Sequence, residues 1–482
     1  NAPWYSGRWK LVDEKASPGY YSVTLKESGI HAELTVGPRA ACHRYTFPAG
    51  SSRRIALDLS NGGIQISGME TFPAAIQVSI QETNTCSGSV TMAGIRIFFF
   101  LEVDGHVVQS DVLCGDCVRH GKSLEVTGLT RENATPTGVV FHLDSGTSGQ
   151  ATVRVGFSLV SPGQARSNLA DIEGKDFDEI AAYTEAAWKN ALGRIRVFGG
   201  TNEQQAIFYT SLYHSLIKPT DATGEASARD SRKPHFFDIA TMWDIYKTQL
   251  PLIQTVYSEV GRDIVEWMLS IARRTGRLPH KYLMDSYSER FDSAQARVLA
   301  QVTVADAWTR RMNGIDWEDA AALLHADITA ERNREFLKKG VVHPLTHTLD
   351  LAYGCFCTAR IAEAFRLPQT AQLKKLAGNW VNAYNSKNGR LSKSTYYEGG
   401  GWNYSFRLLH DMAGRIALYG NEKTFAEDLD RFFGFDELPG WKTGPGNLEG
   451  PEKTRFEGLN NEPDMETPYA YIYAGRHDRT AE

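Results

Sequence analysis

The sequence predicts a multidomain β + α chain, with an N-terminal antiparallel β-sandwich followed by a C-terminal toroid of paired helices. Three observations predict it. Within the first ~160 residues, short stretches carry apolar side chains at every second position and are cut by turn residues. From Phe177 onward the apolar spacing changes to three and four, the period of an amphipathic helix. Between the two regimes stands Ser161-Pro162-Gly163, which reads as a linker.

The β elements come first. Val153, Val155, Phe157 and Leu159 alternate with Thr152, Arg154, Gly156 and Ser158, the pattern of a half-buried strand. Ile76–Ile80, Ile95–Val103 and Val139–Leu143 read the same way. Turn signals punctuate them at Asn61-Gly62-Gly63, Asp104-Gly105 and Ser148-Gly149. Many short strands at such spacing predict a sandwich. The helical part opens with Phe177, Ile180, Thr184, Ala187, Trp188, Ala191 and Ile195 on one face. Phe208–Leu216, Ile264–Ala272, Val298–Met312, Leu349–Ala364 and Ser405–Tyr419 follow, among roughly nine or ten candidate helices. No fixed internal repeat is present, which argues against a solenoid. In a toroid of helix pairs, the converging loops are the natural place for a site.

Composition narrows the function. The 482 residues carry 52 Lys+Arg and 57 Asp+Glu, a net charge of −5, so there is no general electrostatic reason to bind nucleic acid. The greasiest run, Ile97–Leu101, sits between Arg96 and Glu102 and is far too short to span a bilayer. Six cysteines (42, 86, 114, 117, 355 and 357) and the sequons Asn133-Ala-Thr135 and Asn403-Tyr-Ser405 suggest disulfides, N-glycosylation and a secretory setting. Cys114-Gly-Asp-Cys117 has zinc or redox spacing but no second such pair, and a structural disulfide or free thiols account for it better. Phosphate-loop, GxSxG, HExxH and dinucleotide fingerprints are all absent.

Three clusters can carry chemistry. The first is Tyr396-Tyr397-Glu398-Gly399-Gly400-Gly401-Trp402-Asn403-Tyr404, followed by His410-Asp411. Its glycines allow close backbone approach to a ligand, and a carboxylate among aromatic rings can be desolvated into a general acid. A glycine turn with a surface Glu is the plainer explanation. The second is Asn460-Asn461-Glu462-Pro463-Asp464-Met465-Glu466, rich in the oxygen ligands Ca²⁺ prefers, though a capped polar loop would look alike. The third is Met242-Trp243-Asp244-Ile245-Tyr246-Lys247. There the indole offers a face to a sugar ring and the Asp can accept from hydroxyls, while a core Trp beside a capping Asp is the structural alternative.

Taken in order, these residues resemble glycoside hydrolase family 92, the calcium-dependent, inverting, exo-acting α-mannosidases. The likeness starts at Glu14-Lys15-Ala16-Ser17-Pro18-Gly19-Tyr20-Tyr21 and runs through His43-Arg44-Tyr45-Thr46-Phe47-Pro48 and Phe208–Leu216. It continues with Trp243-Asp244, Gly276-Arg277-Leu278-Pro279, Tyr397-Glu398-Gly399, Trp402-Asn403-Tyr404, His410-Asp411 and Asn461-Glu462-Pro463. The resemblance implies a sandwich domain (1–165) packed on an (α/α)6 barrel (166–482), each lacking part of the family's length at its outer end. It also implies Glu398 as general acid and Asn461 and Glu462 at a bound Ca²⁺. Trp243, Asp244, Trp402, His410 and Asp411 would bind substrate, a mannose-containing glycan or glycoprotein.

The departures from the family pattern are specific. Met465 and Glu466 stand where the family often carries histidines. Arg297-Val298-Leu299 replaces an acidic-His motif, and Phe456 and Leu459 replace polar residues. The family's general-base aspartates lie beyond the Asn-Glu-Pro loop, in a stretch that would follow Glu482. The motif order therefore predicts a central window of a longer chain. Two other readings stay open: a carbohydrate-binding relative without catalysis, and a polysaccharide lyase using Tyr396, Asn403 and His410.

Overall fold

The computed structural model describes residues 9–60, 73–92, 94–115, 117–130, 133–144, 149–225, 233–239, 241–282, 297–396, 400–435 and 462–482. Among them, one compact unit runs to His235 and a second from Phe236 to Glu482.

The first unit is an antiparallel sandwich. Its strands are β1 (Leu11–Ser17), β2 (Tyr20–Leu25), β3 (Ile30–Val36), β4 (Ala40–Thr46), β5 (Arg53–Asp58), β6 (Pro73–Glu82) and β7 (Thr85–Met92). They continue as β8 (Ile95–Asp104), β9 (Val107–Cys114), β10 (Cys117–Arg119), β11 (Ser123–Thr127), β12 (Thr137–Leu143) and β13 (Gln150–Ser158). Nine form one sheet in the order β1-β2-β3-β4-β13-β8-β7-β6-β11, and four form the other, β10-β9-β12-β5. Phe99, Leu101 and Val103 of the large sheet meet Val112, Val139 and Phe141 of the small one in a buried core. This is the two-layer burial that period-two strands require.

The alternation expected at Val153–Leu159 changes phase part-way. Val153 is buried, but Phe157 is exposed while Gly156 and Ser158 face inward. The cause is helix α1 (Pro162–Asn168), which covers that face. A Cβ at position 156 would lie 2.1 Å from the Ala165 carbonyl oxygen, so only glycine fits. The expected linker is the start of that helix: Ser161 caps it, accepting from the Gln164 N–H at 3.0 Å, and Pro162 opens it. Helices α2 (Phe177–Leu192) and α3 (Asn202–Leu216) complete the unit. On α2 only Phe177, Ile180 and Thr184 are buried, so the long apolar face read from sequence is used over its first two turns.

The second unit is helical. It contains α4 (Met242–Ile245), α5 (Gln249–Val256), α6 (Ser258–Thr275), α7 (Ala300–Thr309), α8 (Trp317–Thr329), α9 (Arg334–Lys339) and α10 (Leu345–Ala364). These lead into α11 (Thr370–Ala377), α12 (Gly401–Tyr404), α13 (Met412–Ala417), α14 (Glu422–Phe433), α15 (Ala470–Tyr473) and α16 (His477–Ala481). The buried α10 packs against α7, α8 and α11, and α5 packs against α6, the side-by-side pairing a helical toroid needs. Gly276, at φ 74°, ends α6 in the left-handed conformation, as the Gly-Arg-Leu-Pro turn predicts.

The helix expected over Ser405–Tyr419 is broken between α12 and α13. The backbone of Leu408 is taken by side chains: its N–H donates to Glu466 Oε1 at 2.9 Å and its carbonyl accepts from Lys247 Nζ at 2.7 Å. The Asp411 carboxylate then restarts the helix by accepting from the Gly414 N–H at 2.8 Å.

The disulfides expected from the cysteine count are not formed, and all six side chains are free thiols. Cys42 and Cys86 sit in separate core clusters. Cys355 and Cys357 are two apart on α10, a spacing that turns them to different faces. Burial pushes the Cys42 thiol up to about 11 and Cys357 up to about 12, so both stay protonated and unreactive. Asn403 is fully buried and its side chain accepts from the Gly400 N–H at 3.0 Å, so that sequon is closed to glycosylation in the folded chain. Asn133 is exposed. No helix among the described residues is long and apolar enough to cross a membrane.

Candidate active site

A cavity of about 830 Å³ opens in the helical unit, large enough for a sugar and part of a neighbour. Trp243 and Asp244 form one wall, Glu462, Glu466 and Tyr469 another, and Tyr353, Phe356 and Arg360 of α10 a third. Two of the three sequence clusters, more than two hundred residues apart, therefore converge on it.

Trp243 and Asp244 lie on α4, held by hydrogen bonds to the turn after α6. The Met242 N–H donates to the His280 carbonyl at 2.7 Å, and Ile239 bridges to Tyr282. The Trp243 indole is buried and packs edge-on against Tyr404 at 5.4 Å, with the Arg407 guanidinium 5.0 Å from its ring centre. Asp244 is half-buried. Glu462 is exposed and begins a 3-10 turn, Glu462–Tyr469.

Glu398 and Asn461 lie outside the described residues, as do Phe456 and Leu459. The flanks of position 398 are described. Tyr396 and Tyr404 approach ring to ring at 5.9 Å, and Tyr404 in turn meets Trp243. The Tyr396 hydroxyl donates to the Ser392 carbonyl at 2.6 Å. Tyr396, just before the 397–399 segment, is thus linked through Tyr404 to Trp243.

Trp402, His410 and Asp411 do not line the cavity. The Trp402 ring is covered by the Arg390 guanidinium, 3.2 Å from its centre, and packs against Phe406 and Phe432. His410 stacks on Phe356 at 4.8 Å and Tyr353 at 5.6 Å, and its Nε2 donates to the Ala377 carbonyl at 3.1 Å. Burial lowers its pKa. Asp411 caps α13. Two of the three touch cavity elements from behind: His410 through α10, and Asp411 through the break beside Leu408.

Sequence reasoning passed over the charged floor. Arg407 Nη2 donates to Asp350 Oδ1 and to the Tyr246 hydroxyl, both at 3.0 Å, and its Nε lies 3.8 Å from Glu466 Oε1. Lys247 pairs directly with Glu466. Burial works against the Lys247 ammonium, but Glu466 and Tyr246 outweigh it and raise its pKa. Burial likewise works against the Arg407 guanidinium, and Tyr246, Asp350 and Glu466 hold it firmly protonated. Asp350 is pushed up to about 6 by burial, against the pull of Arg407. The available signal was spacing: Lys247 follows Trp243 by four residues, and Glu466 follows Glu462 by four.

His280, beside α4, has two buried ring nitrogens with no hydrogen-bond partner among the described residues. Burial, with Arg332, Arg297, Arg277 and His347 around it, pushes its pKa down to about 3. The unfolded chain protonates this ring below about 6.5, while the folded chain keeps it neutral. The associated stability is present above pH 6.5 and is lost as pH falls towards 3, at up to about 1.4 kcal/mol per pH unit. We expect His280→Phe to flatten the fall of the denaturation midpoint between pH 6.5 and 5. Parallel pH profiles for the two proteins would refute this.

Sequence profiles decide the family. The N-terminal domain of glycosyl hydrolase family 92 matches residues 4–158, and the catalytic domain of that family matches residues 164–482. The chain belongs to family 92. A family 92 inverting mannosidase from Bacteroides thetaiotaomicron superposes with a TM-score of 0.77 at 22% identity, covering 96% of this chain and 67% of that one. A family 92 alpha-mannosidase from the same organism gives 0.81 at 19% identity, covering 98% and 67%. A curated relative, an uncharacterized secreted glycosidase of Arthroderma benhamiae, is 23% identical over 96% of this chain. The chain spans 64% of that relative's length.

The calcium ion that family 92 implies can be tested against the donors. Glu462 presents a hard oxygen donor on the cavity wall, and the amide of Asn461 adds a second in sequence. Among the described residues no group of three or more His, Cys, Asp or Glu could hold a metal. Glu462 is thus one donor of the chemistry Ca²⁺ takes.

Proposed function

We propose that this family 92 chain is a glycosidase that removes terminal α-linked mannose from glycans, acting from the chain end, with inversion and with calcium assistance. Residues 1–165 are its sandwich domain and 166–482 carry the catalytic part. The observation that supports this reading most is the meeting of Trp243, Asp244 and Glu462 on one cavity, with Tyr396 packed on Tyr404 and Tyr404 on Trp243. The secreted relative and the exposed Asn133 sequon favour a secretory or extracellular setting.

In this mechanism Glu398 holds a proton for the leaving oxygen. A carboxyl that is partly desolvated among aromatic side chains favours its protonated form. Trp243 supplies an apolar edge and Asp244 accepts from a sugar hydroxyl. An inverting hydrolase needs a second carboxylate, ~6.5–9.5 Å from the acid, to activate water. Asn461 and Glu462 would hold the calcium, which when bound supplies a template for vicinal hydroxyls and Lewis-acid polarisation.

The reading is tested on terminal α-mannosides with and without a calcium chelator. Release of mannose that falls at least a hundredfold on chelation and returns with added Ca²⁺ is the expected result. Sugar binding without release would turn the reading to a carbohydrate-binding relative. An unsaturated, ultraviolet-absorbing product would turn it to a lyase.

A further inference from the structure

The pair of half-buried Lys247 and buried Glu466 joins the two segments that carry the proposed site. Lys247 lies four residues after Trp243 and three after Asp244, and Glu466 four after Glu462. Lys247 follows the end of α4, Glu466 lies within the Glu462–Tyr469 turn, and both side chains line the cavity beside Trp243, Asp244 and Glu462. The pair also clasps the Leu408 peptide from both sides, Glu466 taking its N–H and Lys247 its carbonyl. Arg407 and Asp350 close the cluster, so two cations face two carboxylates and no charge is left over. The ammonium also sits 5.3 Å from the ring centres of both Tyr246 and Tyr353, which fixes it from the α10 side.

We propose that Lys247 and Glu466 are positioning residues that set Glu462 against Trp243 and Asp244. The pair thereby fixes cation affinity and substrate binding. This rests on the reading of Glu462 as a ligand. Groups that orient ligands from behind commonly govern metal affinity by about 10- to 100-fold.

A single neutralisation would strand a buried charge, so the informative variant removes both charges together. In K247M/E466Q we expect the terbium dissociation constant, read by sensitised luminescence, to rise about 10- to 100-fold. KM for a terminal α-mannoside should rise while kcat at saturating Ca²⁺ stays within about threefold. K247R keeps the cation and should bind terbium within about threefold of the unmodified protein. Unchanged terbium affinity in a folded K247M/E466Q overturns the proposal, as does a K247R that loses as much as the double variant. Should the double variant not fold, E466D decides: it keeps the charge but shortens the tether, and binding as tight as in the unmodified protein overturns the proposal.

If the unmodified protein takes up no terbium and releases no mannose, the functional reading fails separately. Hydrogen exchange over 462–473 then decides the positioning role. Exchange at least about tenfold faster in the double variant, with α7 unchanged, supports it, and unchanged exchange overturns it.

Discussion

Glu398→Gln is expected to lower kcat on an unactivated mannose disaccharide by about 10²- to 10⁴-fold, the contribution typical of a positioned general acid. The amide keeps the size and hydrogen-bonding shape of the carboxyl but cannot donate the proton the departing alkoxide requires. The expected signature lies in the leaving group. An aryl mannoside whose phenol leaves as a stable anion needs little protonation, so its kcat should fall far less, by about tenfold or under. KM should change little for either, because the proton is needed only as the bond breaks. Equal losses on both substrates would mean that the substitution damages the loop or the fold. A loss below tenfold on the disaccharide would remove Glu398 from the acid role. The described flanks make local damage easy to see: Tyr396 and Tyr404 pack on the Trp243 wall, so a disturbed loop changes tryptophan fluorescence.

The leaving-group contrast also bears on how much of this protein was legible in its sequence. Local periodicity located strands that are half-buried, one face to the core and one to water, as at Ile76–Ile80. It misread Val153–Leu159 because α1 covers the face of Gly156 and Ser158 while Phe157 on the other face is exposed, so the buried side switches part-way. It read one helix over Ser405–Tyr419 because the apolar spacing there is helical. The break comes from Leu408, whose backbone is claimed by Lys247 and Glu466, side chains remote in sequence. Disulfides were expected from a count, but pairing depends on which cluster each thiol enters.

The same distinction runs through the site. Trp243, Asp244 and Glu462, which the fold brings to one cavity, stood out because an aromatic beside a carboxylate, and an Asn-Glu-Pro run, are short motifs complete within themselves. Trp402, His410 and Asp411 belong to the glycine-rich cluster, but none lines the cavity: His410 and Asp411 touch its elements from behind, and Trp402 packs on Arg390, Phe406 and Phe432. The floor of Lys247, Asp350, Arg407 and Glu466 has no local signature, since a buried charge is recognisable only once its partner is placed beside it. Glu466 and Lys247 each stood in a cluster read from the sequence, but nothing local showed that they pair with one another.

Arg407→Met is expected to cost about 3–5 kcal/mol of stability at neutral pH, the scale for breaking a buried ion pair from one side. Arg407 and Asp350 are almost fully buried and 3.0 Å apart. Methionine fills much of the space but leaves Asp350 without its guanidinium. The pH dependence separates this from lost packing. Asp350 already stands at about 6 through burial, and losing Arg407 removes the largest influence holding it down. In the variant the carboxyl can take up a proton, which relieves the stranded charge, and a folded-state pKa raised above the unfolded value gives stability that declines as pH rises. The cost should therefore be smallest near pH 5 and grow towards pH 8, whereas a packing defect would be flat across that range. Adding Asp350→Asn should recover much of the loss at pH 8, because no charge is then left unpaired. Urea denaturation followed by tryptophan fluorescence at pH 5 and 8 measures all of this. A pH-independent loss, or no recovery in the double variant, would show that Arg407 acts through packing on Trp243 and not through its charge.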